Sequence, residues 1–210
     1  MMNDLIDRLE KLRVVPVVVI DDANAAQELG QAVLQGGLPV LEVTFRTQAA
    51  PSAIKILSQN PELFVGAGTV LNADQVDTAV QAGASFIVSP GFSLAVINRC
   101  RELGVPVLPG VATASDMMAA IAAGVEIVKF FPAGTLGGPG AIKDYAAPFP
   151  GIRFVPTGGI TTQNVAQYLS IPQVLAVGGS WMVPRSAIAE GDFAKIATLV
   201  SQTVTQVRGL

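Results

Sequence analysis

The sequence predicts an α/β chain folded as one closed (β/α)8 barrel of the TIM type, and three observations carry that prediction. Short β-rich apolar runs recur eight times at near-equal spacing. These runs are apolar throughout rather than alternating, as parallel strands covered on both faces must be. The segments between them carry the three-to-four-residue periodicity of helices. No linker, low-complexity run or shift in composition divides the chain, so residues 1–210 read as a single domain.

The elements follow in order. Residues 1–12 read as an extra helix ahead of the first strand. Strands are expected at residues 14–20, 40–43, 63–65, 86–88, 107–108, 127–131, 153–155 and 174–177. Their starts are separated by 26, 23, 23, 21, 20, 26 and 21 residues, a βα repeat that suits a barrel toward the small end of the range. A doubly wound open sheet is the structural rival, but eight near-equal units favour closure. One intervening helix carries Val76, Ala79, Val80 and Gly83; the last carries Ala197, Val200, Val204 and Val207. Helix starts are signposted by Asn72, Ser93 and Thr161-Thr162, whose side chains can accept from free backbone N–H groups. Helix ends carry Gly36-Gly37, Gly83, Gly104 and Gly124.

Composition narrows the chemistry. Only 14% of the 210 residues are charged, against roughly 25% in a typical soluble protein, while half are hydrophobic. No apolar stretch approaches the ~20 residues of a membrane span, and the Met1-Met2-Asn3-Asp4 start lacks a signal-peptide pattern. The lone Cys100 suits a reducing, cytoplasmic setting. A net charge of −3 offers no basic face for nucleic acid or an anionic membrane. With no histidine in the chain, Ser-His-Asp and Cys-His systems and His-ligated metals are excluded. Acid–base work falls to Glu, Asp, Lys, Tyr or Cys.

In so apolar a chain, a charge inside a strand is informative, because desolvating it is costly unless it is paired or used. The second strand continues as Leu41-Glu42-Val43-Thr44-Phe45-Arg46. Period-two alternation puts Glu42, Thr44 and Arg46 on one face, toward the barrel axis or mouth. The sixth strand holds Lys129 among Ile127, Val128, Phe130 and Phe131. A structural ion pair, or a lysine snorkelling out at the strand end, is one reading. The other is a Schiff-base lysine: burial disfavours the ammonium form and supplies a free amine, and a nearby carboxylate shuttles protons.

Two glycine pairs form a second constellation. Thr157-Gly158-Gly159 ends the seventh strand and Gly178-Gly179-Ser180 ends the eighth, the two loops that commonly hold phosphate in this fold. Glycine lets backbone amides approach an anion, and a following helix N-terminus adds a favourable dipole. Gly66-Ala67-Gly68-Thr69 and Ser89-Pro90-Gly91 are turn chemistry or shape the site floor. Cys100, mid-helix with no histidine partner, reads as structural, and Trp181 and Met182 as packing residues near the mouth.

Taken together, Glu42-Val43-Thr44-Phe45-Arg46-Thr47, Gly66-Ala67-Gly68-Thr69-Val70, Ser89-Pro90-Gly91, Lys129-Phe130-Phe131-Pro132-Ala133, Pro156-Thr157-Gly158-Gly159-Ile160 and Gly178-Gly179-Ser180-Trp181 resemble, over essentially the whole chain, a known family. It is the class I 2-keto-3-deoxy-6-phosphogluconate (KDPG) and 4-hydroxy-2-oxoglutarate (KHG) aldolases. The resemblance implies that Lys129 is the Schiff-base lysine and Glu42 its proton shuttle. It implies that Arg46 and Thr69 hold the pyruvate carboxylate, that Pro90 and Phe131 line the pocket, and that Thr157 contacts the sugar chain. Gly158, Gly159, Gly178, Gly179 and Ser180 would cradle the phosphate. It further implies a homotrimer, a phosphorylated 2-keto-3-deoxy sugar acid as substrate, pyruvate and glyceraldehyde 3-phosphate as products, and no metal or organic cofactor. The related aldolase for the galactonate-derived epimer tends to lack the Thr-Phe-Arg-Thr run and to have valine in place of Thr157, so both features favour the gluconate branch. Three rivals fit less well. A metal-dependent aldolase lacks its histidine ligands, another phosphate-binding barrel isomerase or synthase leaves Arg46 and Thr69 unexplained, and a sugar-phosphate binding protein predicts no turnover.

Overall fold

A computed structural model describes residues 2–210. The strands are β1 (Val14–Val18), β2 (Val40–Thr44), β3 (Phe64–Gly68), β4 (Phe86–Val88), β5 (Val107–Leu108), β6 (Gly110–Val111), β7 (Ile127–Phe130), β8 (Arg153–Phe154) and β9 (Val177–Gly179). The helices are α1 (Met2–Leu12), α2 (Ala26–Gln35), α3 (Ala50–Leu57), α4 (Ala73–Gln81), α5 (Leu94–Leu103), α6 (Ala114–Ala122), α7 (Gly138–Ala146), α8 (Val165–Leu169), α9 (Arg185–Glu190) and α10 (Phe193–Arg208). The strands pair in parallel in two curled sheets, one ordered β5-β4-β3-β2-β1-β9 and the other β6-β7-β8. Helices cover the outer faces, so β1 and β2 are buried along their whole length, which explains their unbroken apolar runs.

The sheets meet at two joins. Between β5 and β6 stands Pro109, which has no N–H to give the ladder, although its carbonyl accepts from Lys129 N at 2.9 Å. Between β8 and β9 there are only isolated pairings, Phe154 with Val174 and Thr157 with Gly178. There Gly178 N donates to Pro156 O at 2.9 Å.

Helix ends obey the expected chemistry in several places. Asn72 accepts from Gln75 N at 2.9 Å and opens α4; Ser93 accepts from Val96 N at 3.4 Å and opens α5. Such caps contribute ~1 kcal/mol each. Gly104 closes α5 in the left-handed conformation. The extra N-terminal helix forms α1, burying Leu5 and Leu9 one turn apart; Met1 lies outside the described residues. Among the described residues no helix is long and apolar enough to cross a membrane.

Four expectations are corrected. The final strand lies at Val177–Gly179, not 174–177. Gly66-Ala67-Gly68 is not a loop after the third strand but part of β3 itself. Strand five resumes as β6 after the proline break. Thr161-Thr162 does not start the helix: the Asn164 side chain accepts from Thr161 N at 2.8 Å, forming a local turn, and α8 begins only at Val165.

Candidate active site

Six polar or charged side chains are buried among the described residues: Glu42, Thr44, Ser89, Lys129, Thr157 and Thr203. All but Thr203 lie on or just after the strands that carry the predicted site. Glu42 sits on β2 opposite Gly66 of β3, and Lys129 sits on β7 opposite Gly110. These strands are not neighbours, so the two side chains meet across the interior. Lys129 Nζ donates to Glu42 Oε1 at 3.1 Å, with the side chains 4% and 5% exposed. The lysine therefore does not snorkel into solvent. Taking both ions out of water costs about as much as their attraction returns, so stability is a weak reason for such a pair. The Phe131 ring centroid lies 5.2 Å from the ammonium and screens it from water.

Phe131 also forms one wall of a cleft of about 250 Å³. Arg46, Thr157, Gly158, Gly159, Gly178, Gly179 and Ser180 line it as well. Both glycine pairs thus face one space. Gly158 and Gly159 take φ of +97° and +76°, conformations open chiefly to glycine, and Asn164 Nδ2 donates to Gly159 O at 2.9 Å to hold that loop. Gly178 and Gly179 are needed for space: a methyl at Gly178 would overlap the Thr157 hydroxyl, and one at Gly179 the Trp181 ring. Trp181 is itself fixed, its indole donating to Thr203 Oγ1 on α10 at 3.0 Å.

Arg46 is exposed at the mouth and its Nε donates to Thr69 Oγ1 at 3.3 Å. Thr69 has φ +57°, a strained conformation for a β-branched residue that costs of order 1–3 kcal/mol and marks functional positions. The site residues are thus brought together: Arg46 joins Thr69 to the cleft, and Phe131 joins the Lys129–Glu42 pair to it. Pro90 stands behind this wall; its backbone packs on Gly110, the partner of Lys129 in the sheet, and Ser89 Oγ donates to Gly91 O at 2.7 Å to fix that loop. Beyond the glycine pairs, α8 starts at Val165 and α9 at Arg185, and the Asn164 that holds the Gly159 carbonyl stands at the head of α8. Sequence reasoning missed Val17, Val19 and Ile160, which also line the cleft; inside apolar runs they carried no distinguishing signal. Cys100 is fully buried, and burial pushes its thiol up to about 12, in keeping with a structural role.

Comparison with known proteins agrees with this geometry. The family model for KDPG and KHG aldolase matches residues 5–199. A 2-dehydro-3-deoxy-phosphogluconate aldolase of Treponema pallidum (strain Nichols) is 45% identical over 204 residues, 97% of each chain. The crystal structure of the 2-keto-3-deoxy-6-phosphogluconate aldolase of Zymomonas mobilis ZM4 with 3-phosphoglycerate superposes with a TM-score of 0.89 at 45% identity, covering 96% of this chain and 95% of that one. The KDPG aldolase from Legionella pneumophila, with pyruvate captured as a covalent carbinolamine intermediate, superposes with a TM-score of 0.90 at 38% identity, covering 94% and 96%. The chain belongs to the KDPG and KHG aldolase family.

Proposed function

We infer that this protein is a class I aldolase that reversibly cleaves KDPG to pyruvate and glyceraldehyde 3-phosphate, and also cleaves KHG to pyruvate and glyoxylate. The observation that carries this reading is the water-excluded Lys129–Glu42 pair beside a cleft lined by two glycine pairs. The Legionella relative with pyruvate bound as a carbinolamine supports the chemistry.

In the proposed cycle Lys129 passes a proton to Glu42, 3.1 Å away, and the free amine attacks the C2 ketone. Glu42 protonates the departing hydroxyl, water leaves and an iminium forms. The Glu42 carboxylate, directly or through water, then takes the C4 hydroxyl proton. The C3–C4 bond breaks, its electrons move into the iminium to give an enamine, and the aldehyde departs. Glu42 returns the proton to C3, and water adds at C2 to release pyruvate and the amine. Holding the acid–base group in place is worth 10²–10⁴-fold in rate in typical enzymes. Arg46 and Thr69 hold the carboxylate of the keto acid, and Pro90 and Phe131 shape the pocket. Gly158, Gly159, Gly178, Gly179 and Ser180 receive the phosphate. Thr157, buried beside Gly178, contacts the sugar chain and favours KDPG over its galactonate-derived epimer. Every step is carried by a side chain of the protein.

Two supports extend the reading to the whole chain. The pairings across both joins favour one closed (β/α)8 barrel, with β5 and β6 acting as a single strand of one domain. Exposed Leu71, Leu94, Met118 and Ile121 favour a homotrimer, which light scattering on the purified protein tests. The central test is borohydride reduction with pyruvate followed by mass mapping. A pyruvate-sized adduct on Lys129 is expected, and its absence overturns the Schiff-base assignment. Lys129→Ala should abolish turnover; Glu42→Gln should still trap adduct but turn over slowly.

A further inference from the structure

The inner face of β3 carries no side chain at two successive inward positions, Gly66 and Gly68. Neighbouring strands fill the space differently. A methyl at Gly66 would lie 2.6 Å from Cε1 of the Phe86 ring and closer still to its Cε2 and Cζ, so that position accommodates packing. A methyl at Gly68 would lie 2.6 Å from both Cγ and Cδ of Glu42 and closer still to Oε1, the oxygen that accepts from Lys129. Real Cβ atoms essentially never come within 3.0 Å of such neighbours. The register explains the approach. Glu42 is paired with Gly66 and Thr44 with Gly68, so the Glu42 side chain leans along the strand, as strand side chains do, and lies over the backbone at residue 68.

We propose that Gly68 is a positioning residue for the aldolase reaction: its missing side chain is the space through which Glu42 reaches Lys129. φ at Gly68 is not in the left-handed region, so backbone conformation does not demand glycine there. The demand is steric, and the three nearest atoms that a methyl would meet all belong to the Glu42 side chain. Because that neighbour is flexible, an alanine can be accommodated by swinging the carboxylate aside, at the expense of its contact with Lys129. The inference rests on the proton-shuttle reading of Glu42, and the experiment separates the two.

Steady-state cleavage of KDPG is measured for the wild type, Gly68→Ala, Glu42→Gln and the double variant. Gly68→Ala is expected to lower kcat by at least ~100-fold, the lower range for a displaced acid–base group. In the Glu42→Gln background the same change should alter kcat by less than about threefold, because coupled residues do not add. An equal loss in both backgrounds, or near-normal kcat for Gly68→Ala, overturns the role of Gly68 while leaving Glu42 as shuttle. Full activity of Glu42→Gln instead overturns the shuttle reading, and the positioning role with it. Gly66→Ala, which meets the Phe86 ring, is the control, and its effect should be the same in both backgrounds; coupling equal to that of Gly68 overturns the proposal. Stability gives a readout independent of turnover. Gly68→Ala should lower Tm less in a Glu42→Ala background than in the wild type. If Gly68→Ala alone does not fold, the Gly68→Ala/Glu42→Ala double variant must; failure of both overturns the proposal.

Discussion

Replacing Lys129 by methionine keeps a long unbranched side chain, one atom shorter than lysine, and removes the cation. Glu42, 5% exposed and 3.1 Å from the lost ammonium, is then left as an uncompensated buried carboxylate. Breaking a buried pair in this way costs about 3–5 kcal/mol. For a chain of this size 1 kcal/mol moves Tm by roughly 2–4 °C, so Lys129→Met should melt roughly 6–20 °C below the wild type in scanning calorimetry at neutral pH. Adding Glu42→Leu removes the stranded charge and restores an apolar contact. The double variant should recover to wild-type Tm or exceed it, since apolar replacement of a buried pair is often neutral or stabilising by about 1–4 kcal/mol. It should have no turnover. A single variant melting within ~2 °C of the wild type, less than 1 kcal/mol for a chain of this size, would refute the reasoning. So would a double variant no better than the single. Either result would mean that the two charges do not depend on each other in a dry interior.

Other perturbations read other parts of the molecule. Gly179→Ala places a methyl into the Trp181 ring; as the chain has one tryptophan, its emission should shift directly. KM for KDPG should then rise about tenfold, the equivalent of one lost contact of ~1.4 kcal/mol, while KM for unphosphorylated KHG changes little. Equal effects on both substrates would remove the phosphate from that loop. Cys100, fully buried with its thiol pushed up to about 12, holds almost no thiolate at pH 8 and should resist iodoacetamide until the protein is unfolded. Rapid labelling of the native enzyme would contradict that burial. EDTA should leave the activity unchanged in a standard cleavage assay, and strong inhibition would revive a metal-dependent mechanism.

Much of the site was legible because the chain is so poor in charge. Lys129 and Glu42 stood out as ions inside apolar strands, and desolvation makes such placements rare without a use. The glycine pairs were legible from their position after the last two strands. What escaped notice depended on contacts distant in sequence. Gly68 reads as turn chemistry until Glu42 of the preceding strand is seen lying over it. Nothing in Gly-Ala-Gly-Thr says that Thr69, rather than a glycine, takes the positive φ. Thr161-Thr162 carries a true start signal and Thr161 Oγ1 accepts from Gln163 N, but Asn164 turns back onto Thr161 N, and short-range capping signals do not tell such a local turn from a helix start. The break at Pro109 was visible as a proline, yet the resumption of pairing at Gly110 depends on β7 beside it.

The join between β8 and β9 has a dynamic consequence. It is held by isolated pairings rather than a continuous ladder, so it is a natural place for the wall to open locally, at lower free energy than global unfolding. Gly158 and Gly159 stand on one side of that seam, Gly178 and Gly179 on the other, facing the same cleft. A phosphate taking hydrogen bonds from both sides would supply the cross-links that the backbone omits. On the proposed reading the substrate would act as a stitch, closing the wall that binds it, and the seam would be loosest when the site is empty and product has just left.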